Sequence, residues 1–173
     1  MAIVDTTVAE VARQYGLEPL PVEGGLFRRT WAGPVDGTGR PAGSAIIALF
    51  ATGGLFSAMH RLPIDEVWHF YRGDPLELLL LPENGEAHVE ILGHAAGQHI
   101  QLTVPAGTWM GAQVAPGGHW SLCGTTMAPG FVPDDYEGGD AEELVARYPS
   151  AADRIRALCR PGAGRRMTED PDA

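Results

Sequence analysis

The chain has 173 residues, 45% of them hydrophobic, which fits one domain with a substantial core. Its formal net charge of −10 argues against nucleic acid and anionic membranes as partners, because both need a cationic protein surface. All twelve of its cationic residues are arginine, which excludes Schiff-base chemistry on a lysine.

The high glycine and proline content, 23 and 14 residues, favours a turn-rich β protein over a helical bundle. The two cysteines, Cys123 and Cys159, lie outside any CxxC or Cys/His cluster, which indicates a reducing compartment and predicts a cytoplasmic protein. The N-terminus lacks the basic and apolar regions of a signal peptide, and no apolar run approaches the length of a membrane span.

A short helix is predicted first along the chain, at residues 6–16, with Thr6 or Thr7 as its cap and Gly16 at its end. "LFRRTWA" predicts a strand, and the Gly- and Pro-rich residues 33–43 predict a loop. From residue 44 onward, apolar segments separated by Gly, Pro and Asn turns predict a sandwich or barrel of about ten strands. These segments are "SAIIALFA", "LFSAMHRL", "EVWHFYRG", "LELLLLP", "AHVEILG", "HIQLTVP", "WMGAQVA" and "HWSLCGTTM".

The predicted strand "LELLLL", residues 76–81, does not alternate between apolar and polar residues, which indicates cover on both faces by the barrel core and by another sheet or subunit. Near the C-terminus, "GGDAEELVARYPSAADRIRALCR" predicts two helical segments that break at Pro149. The composition of residues 161–173 predicts a disordered tail. Residues 1–160 are therefore expected to form a single domain.

The stretch "SAMHRLPIDEVWHFYRGDPLEL", residues 57–78, contains His60, Glu66 and His69 within ten positions. Together with the glycines on either side, it fits the pattern G-x5-H-x-H-x3-E-x6-G, except that Leu62 stands at the second His. This pattern resembles the first motif of the cupin superfamily, in which two His and a Glu bind a divalent metal inside a small β-barrel.

The second cupin motif, P-x-G-x2-H, is also visible with one change, since "PAGTWM" has Met110 where the His belongs. Further segments, "EGGLFRRTW", "VPAGTWMGA", "TMAPGFVPDDYE" and "LVARYP", resemble the small single-domain cupin-five subfamily over roughly residues 8–160. The resemblance implies an all-β jelly-roll, or double-stranded β-helix, barrel with short N- and C-terminal helices, and it leaves the reaction open. With the doubly apolar strand, it also implies a homodimer that hides an edge strand.

Alternation along "EVWHFY" assigns these residues to two faces of a strand. If Glu66 points into the barrel, Trp68 and Phe70 lie on the same side, and His69 lies on the other side with Val67 and Tyr71. A metal site made of His60, Glu66 and His69 would therefore need a bulge. A buried carboxylate is costly, so Glu66 is expected to accept a hydrogen bond or to shift toward its neutral form.

Three functions are compatible with these residues. The first is a metal-independent isomerase or epimerase in which His60 and Glu66 act as acid and base on a small, carbohydrate-like molecule. The expected binding residues around that molecule are Glu23, Phe27, Trp68, Phe70, Trp109 and Gln113. The second is a degenerate metal enzyme that holds iron, zinc or nickel on His60 and Glu66, with His69 or Gln113 as a further ligand. The third is a binding or sensing module without turnover.

Overall fold

The computed structural model describes residues 7–168 of the chain. Its helices are α1 (Val8–Tyr15), α2 (Ala141–Arg147) and α3 (Ala152–Ala157). Its strands are β1 (Glu18–Pro19), β2 (Leu26–Ala32), β3 (Ser44–Ala51), β4 (Ser57–Arg61), β5 (Glu66–Gly73), β6 (Leu76–Leu81), β7 (His88–Leu92), β8 (Gln101–Val104), β9 (Trp109–Val114), β10 (Trp120–Met127) and β11 (Glu137–Gly138). Short 3₁₀ helices lie at Pro133–Asp135 and Pro149–Ala151. None of the helices in this part of the chain is long and apolar enough to cross a membrane.

The strands form two antiparallel sheets that face each other across one apolar core. The larger sheet has the order β1-β2-β3-β10-β5-β8, and the smaller has the order β11-β4-β9-β6-β7. The inward side chains come from both sheets, for example Phe50 and Trp68 from the larger one and Leu78 and Met110 from the smaller one. The predicted all-β architecture with short terminal helices is therefore confirmed, and the segments predicted as strands match β2 to β10.

Helix α1 closes one outer side of the larger sheet, at the position that the sequence predicts. Thr7 caps the helix, since its hydroxyl accepts a hydrogen bond from Glu10 N at 3.3 Å and its N–H donates to Glu10 Oε2 at 2.8 Å. Gly16 ends the helix in the left-handed conformation. The other predicted cap, Thr6, lies outside the described residues.

Strand β6 is buried on both faces, as its composition predicts, but the cover on its outer face comes from the chain's own helices. Its inward leucines pack in the core, while Leu79 and Leu81 contact Leu144 of α2 and Ile155 of α3. The expectation that another sheet or subunit covers this strand is therefore wrong. The doubly apolar pattern consequently gives no support to the predicted homodimer.

The segment that follows α3 lies against the protein rather than apart from it. Met167 is only 4% exposed, and Gly138 N donates a hydrogen bond to the carbonyl oxygen of Arg165 at 2.9 Å. Residues 161–168, which belong to the tail predicted to be disordered, thus contact the domain through an apolar side chain in an otherwise polar segment. The rest of the predicted tail, residues 169–173, lies outside the described residues.

Candidate functional site

A cavity opens at one end of the barrel interior, mainly against the larger sheet. Its lining is largely apolar, but it includes the charged side chains of Glu23, Arg29 and Glu66. The remaining lining residues are Leu20, Phe27, Ser44, Ile46, Leu62, Thr125, Met127, Phe131 and Met167. The cavity volume of about 50 Å³ is several times the roughly 10–15 Å³ that one water needs. It can therefore enclose a ligand of a few non-hydrogen atoms, and enclosing a larger ligand requires part of the wall to move.

Glu66 is the buried carboxyl group of this cavity. It begins strand β5, is 7% exposed, and accepts a hydrogen bond from Trp68 Nε1 at 2.9 Å. Burial raises the pKa of Glu66 to about 7, while the nearby His60 and a hydrogen bond from the Thr125 side chain act in the opposite direction. Near neutral pH the group therefore exists in both protonation states, and it can take up or release a proton.

Glu23 is the second carboxyl group of the cavity, and a tight turn after β1 holds it there. Its Oε1 accepts a hydrogen bond from the Ser57 hydroxyl at 2.7 Å, and its backbone carbonyl accepts one from Ala58 N at 2.9 Å. The turn needs left-handed backbone at Gly24 (φ 97°) and also at Val22 (φ 65°), where a β-branched side chain makes this conformation strained. The surrounding contacts hold this strained turn and direct Glu23 into the cavity.

His60 lies behind Glu23 rather than in the cavity lining. Its Nδ1 donates a hydrogen bond to the Ala58 carbonyl at 2.8 Å, so the Nε2 atom is the one that faces Glu23, at 3.9 Å from Oε1. The ring is 1% exposed and stacks on Tyr136 with 5.2 Å between centroids. The structure therefore brings His60 to Glu23, and the carboxyl groups, not the imidazole, border the cavity.

His69 points away from the barrel interior, as the alternation along β5 predicts. Its Nε2 lies 2.9 Å from Thr126 Oγ1, and its Nδ1 lies 3.2 Å from Gln101 Nε2. Partial burial lowers the pKa of His69. The metal site predicted from His60, Glu66 and His69 is not formed, because the third residue is on the opposite face of the strand.

The donor atoms present do not fit the family's metal site. Two of the four ligand positions hold Leu62 and Met110, whose apolar side chains are buried in the core. Among residues 7–168, no group of three or more His, Cys, Asp and Glu side chains could hold a metal ion. Catalytic zinc or iron in a protein normally needs three protein ligands.

Trp68 and Phe70, which are predicted to hold a ligand ring, are core residues. Trp68 is 1% exposed, and its ring stacks on Phe50 with 6.0 Å between centroids. Phe70 packs edge-on against His94 at 4.9 Å. Neither ring lines the cavity, so Trp68 acts on the site through its hydrogen bond to Glu66.

Trp109 and Gln113 lie on the outer face of β9, and their predicted binding roles are not supported. Trp109 packs among the side chains of α2 and α3, and Arg61 lies over its ring at 4.7 Å from the centroid. Gln113 pairs with Glu77 of β6. Its neighbours Ala112 and Val114 face the core, so Gln113 lies on the opposite face of β9. Of the predicted binding residues, Glu23 and Phe27 do line the cavity.

Sequence reasoning missed several residues of the site. Arg29 follows Phe27 by two positions on β2, so strand alternation could have identified it as a neighbour in the lining. Ser57, which is fully buried and holds Glu23, carries no local signal for that role. The same is true of Met167, which reaches the cavity from a segment predicted to be disordered.

Comparison with known proteins agrees with this geometry. Protein SO0799 from Shewanella oneidensis shares 33% sequence identity and a TM-score of 0.81, with 88% of this chain and 97% of that chain covered. A hypothetical protein from Leishmania major shares 26% identity and a TM-score of 0.79, with 88% of this chain and 98% of that one covered. Oxalate decarboxylase from Bacillus subtilis, at 14% identity and a TM-score of 0.54 over 88% of this chain and 38% of that chain, shares the fold alone.

No curated protein matches the chain. The model of the family described as Cupin_5, Cupin superfamily (DUF985), matches residues 9–138, which is most of the chain. This family agrees with the cupin-five resemblance of the sequence motifs and with the two-sheet barrel. The chain therefore belongs to the Cupin_5 family of the cupin superfamily.

Proposed function

We propose that the protein binds a small organic molecule in its barrel cavity and catalyses a metal-independent isomerisation or epimerisation, with Glu66 as the acid–base group. The observation that carries this proposal is that a buried carboxyl group with a pKa of about 7 borders a cavity large enough for a ligand. A carboxyl group in this state is matched to proton transfer near neutral pH.

The proposed step moves one proton on carbon. The ionised Glu66 takes a proton from a ligand carbon next to a carbonyl group, and the electron pair of the broken C–H bond forms an enolate. A proton then returns to the same carbon on its other face, which is epimerisation. Where that carbon also carries a hydroxyl group, the intermediate is an enediolate. The proton from carbon can then add to the former carbonyl carbon while the hydroxyl proton passes to the former carbonyl oxygen, which is isomerisation. Arg29 lies in the same lining, and its positive charge favours the negative charge of the enolate.

Glu23 is the second group that can exchange a proton with the ligand. It lies in the same cavity lining, and Ser57 holds its carboxylate at 2.7 Å. His60 influences the reaction through Glu23, since its Nε2 is 3.9 Å from Glu23 Oε1 and its ring is outside the lining. The acid–base pair is thus Glu66 and Glu23, with His60 as a positioning residue.

The cavity lining favours a ligand with an apolar part over a sugar with hydroxyl groups on every side. Its apolar members include Phe27, Leu62 and Phe131. Three other aromatic residues expected around a sugar ring, Trp68, Phe70 and Trp109, lie elsewhere. A ligand that reacts at Glu66 therefore needs one carbonyl group beside a short apolar body.

A binding module without turnover is the second candidate. The narrow and mainly apolar cavity supports it, because binding alone needs shape and a few polar contacts, whereas catalysis also needs a positioned reacting carbon. The two candidates differ in whether the bound ligand exchanges hydrogen with solvent.

Deuterium exchange tests the proposal. A panel of small hydroxy acids, keto acids, aldoses and ketoses is first screened for ligands that raise the melting temperature. These ligands are then incubated with the protein in D₂O, and loss of a C–H signal is followed by proton NMR. We expect exchange with the natural protein and a rate at least about 100-fold lower with Glu66→Gln. Glu86→Gln, which changes an exposed hairpin carboxylate, is the matched control and keeps the full rate.

Two outcomes would contradict the proposal. An unchanged exchange rate in Glu66→Gln would remove Glu66 as the acid–base group. Ligands that raise the melting temperature of the natural protein without any exchange would leave binding without turnover as the function.

A further inference from the structure

The segment after α3 supplies part of the cavity wall through a single side chain. Within residues 161–168, Met167 is buried at 4% exposure, while the other side chains are exposed. Met167 also lines the cavity that contains Glu66. The other lining residues come from strands and from loops that connect strands. Met167 alone among the lining residues comes from the segment that follows the last helix.

Arg165 attaches the segment to the body of the protein. The Arg165 carbonyl oxygen accepts a hydrogen bond from Gly138 N at 2.9 Å, and its Nε donates to the Gly138 carbonyl at 3.3 Å. Its guanidinium also pairs with Glu143 of α2 at 2.9 Å. A side chain at position 138 would come within 3.2 Å of the Arg165 Cα, so glycine allows this close contact.

The ion pair in this attachment faces solvent, which lowers the cost of local detachment. The side chains of Arg165 and Glu143 are 46% and 66% exposed, so their ion pair is weak and sensitive to salt. The connection to α3 contains Gly162, in the left-handed conformation at φ 72°, and Gly164. Two glycines so close together let the chain change direction at little steric cost.

We propose that residues 161–168 form a hinged cover over the cavity, in which Arg165 is the latch and Met167 is the residue that determines ligand size. When the cover is closed, the cavity encloses only a few atoms, so a larger ligand is admitted when the segment lifts. Met167 then closes on the ligand, and its flexible thioether adapts to the ligand's apolar part. The inference rests on the proposed function only in assuming that a ligand enters this cavity.

Methionine oxidation measures the opening of the cover without any ligand. Dilute hydrogen peroxide oxidises methionines in proportion to their exposure, and peptide mass spectrometry gives a rate for each one. Met127 lines the same cavity at 5% exposure, whereas Met59 and Met110 are packed in the core at 1% and 2%. Local opening of the cover raises the oxidation rates of Met167 and Met127 only, while global unfolding raises the oxidation rates of all four methionines.

The decisive variant is Arg165→Ala, with the neighbouring exposed residue changed in Arg166→Ala as the matched control. We expect Arg165→Ala to raise the oxidation rate of Met167 by about two- to fivefold, the range that an exposed ion pair contributes. The oxidation rate of Met127 should also rise in Arg165→Ala, while the rates of Met59 and Met110 should not. In the control variant, none of the four oxidation rates should change. High salt should accelerate Met167 in the natural protein but have little effect in Arg165→Ala. Equal rates of Met167 oxidation in the natural protein and in Arg165→Ala would overturn the latch.

The role of Met167 in ligand size is tested with straight-chain alcohols and carboxylates of increasing length as probes. In Met167→Ala, we expect the longest member that raises the melting temperature to be at least two carbons longer than in the natural protein. Thr168→Ala, a neighbouring exposed position, is the control with an unchanged limit. This role would be overturned if the longest probe that raises the melting temperature were the same in the natural protein and both variants. It would also be overturned if no probe raised the melting temperature of any of the three proteins. Because the oxidation experiment uses no ligand, a failed cover and a failed catalytic proposal give different results.

Discussion

Glu66 illustrates at the scale of a single residue how burial creates reactivity. A carboxyl group in an apolar interior must accept hydrogen bonds or keep its proton, and Glu66 does both. Trp68 Nε1 donates to it at 2.9 Å, and burial still raises its pKa to about 7. The same desolvation that makes this residue useful in proton transfer also makes it costly for the fold.

The raised pKa of Glu66 predicts a specific pH dependence of stability. The folded protein keeps this proton up to about pH 7, whereas the unfolded chain releases it near the ordinary value of 4.5. The folded state therefore binds more protons between these pH values, and its stability falls as pH rises through them. A pKa change of this size corresponds to on the order of 3 kcal/mol. Glu66→Gln, which cannot ionise, should therefore gain about 2–3 kcal/mol relative to the natural protein between pH 5 and pH 8.

Urea unfolding of both proteins at the two pH values measures this difference. Glu83→Gln, which alters an exposed carboxylate in the β6–β7 hairpin, controls for the loss of one negative charge. If the gap between Glu66→Gln and the natural protein stays constant with pH, Glu66 does not titrate in this interval.

Single residues were also where sequence reasoning made most of its errors. His60 and Glu66 are close in sequence and both lie inside the barrel, yet His60 faces Glu23 and only Glu66 borders the cavity. The difference depends on the Ala58 carbonyl, which takes the Nδ1 proton of His60. Contacts of this kind come from the path of the backbone, and no spacing of residue types encodes them.

At the scale of elements, strand alternation was a reliable guide on β5 and an insufficient one on β9. It placed Glu66 and His69 on opposite faces of β5, as the structure has them. On β9 it separates Trp109 from Met110, but it cannot say which of the two faces the core, because both are apolar. A face covered by helices looks the same in sequence as a face covered by the opposite sheet.

The packing of α3 on β6 predicts that the C-terminal helices are part of the folding unit. Ile155 is fully buried against this strand, so Ile155→Ala leaves a cavity and should cost about 2–5 kcal/mol of unfolding free energy. Arg156→Ala, one position further along the helix and half exposed, should stay within about 0.5 kcal/mol. Urea unfolding checks both values. A loss below about 1 kcal/mol in Ile155→Ala would mean that the helix is only loosely attached.

At the scale of the whole molecule, the chain keeps the cupin barrel but lacks two of the four side chains that bind the metal in the cupin motifs. Leu62 and Met110 occupy two ligand positions and contribute to the apolar core instead. The barrel is therefore expected to be stable through its packing alone, with no contribution from metal binding.

Two experiments test this expectation: removal of metal ions with EDTA, and restoration of His at the two changed ligand positions. Treatment with EDTA should leave the melting temperature of the natural protein within about 1 °C if packing alone stabilises the barrel. The double variant Leu62→His, Met110→His returns His to both motif positions, and its melting temperature should rise when zinc or nickel is added. The gain should reach about 2.7 kcal/mol at a hundred times the dissociation constant. A stoichiometric metal in the untreated natural protein, whose removal lowers the melting temperature, would contradict the expectation.

The sequence by itself determined the family, the two-sheet barrel, the boundaries of most strands and the placement of Glu66 and His69 on opposite faces of β5. These features follow from alternation, turn residues and motif spacing, which are local properties of the chain. Only the tertiary structure decided which side chains surround the cavity, because Glu23, Glu66 and Met167 come from distant segments. It also decided that the protein's own helices cover β6, since an apolar face does not specify what packs on it.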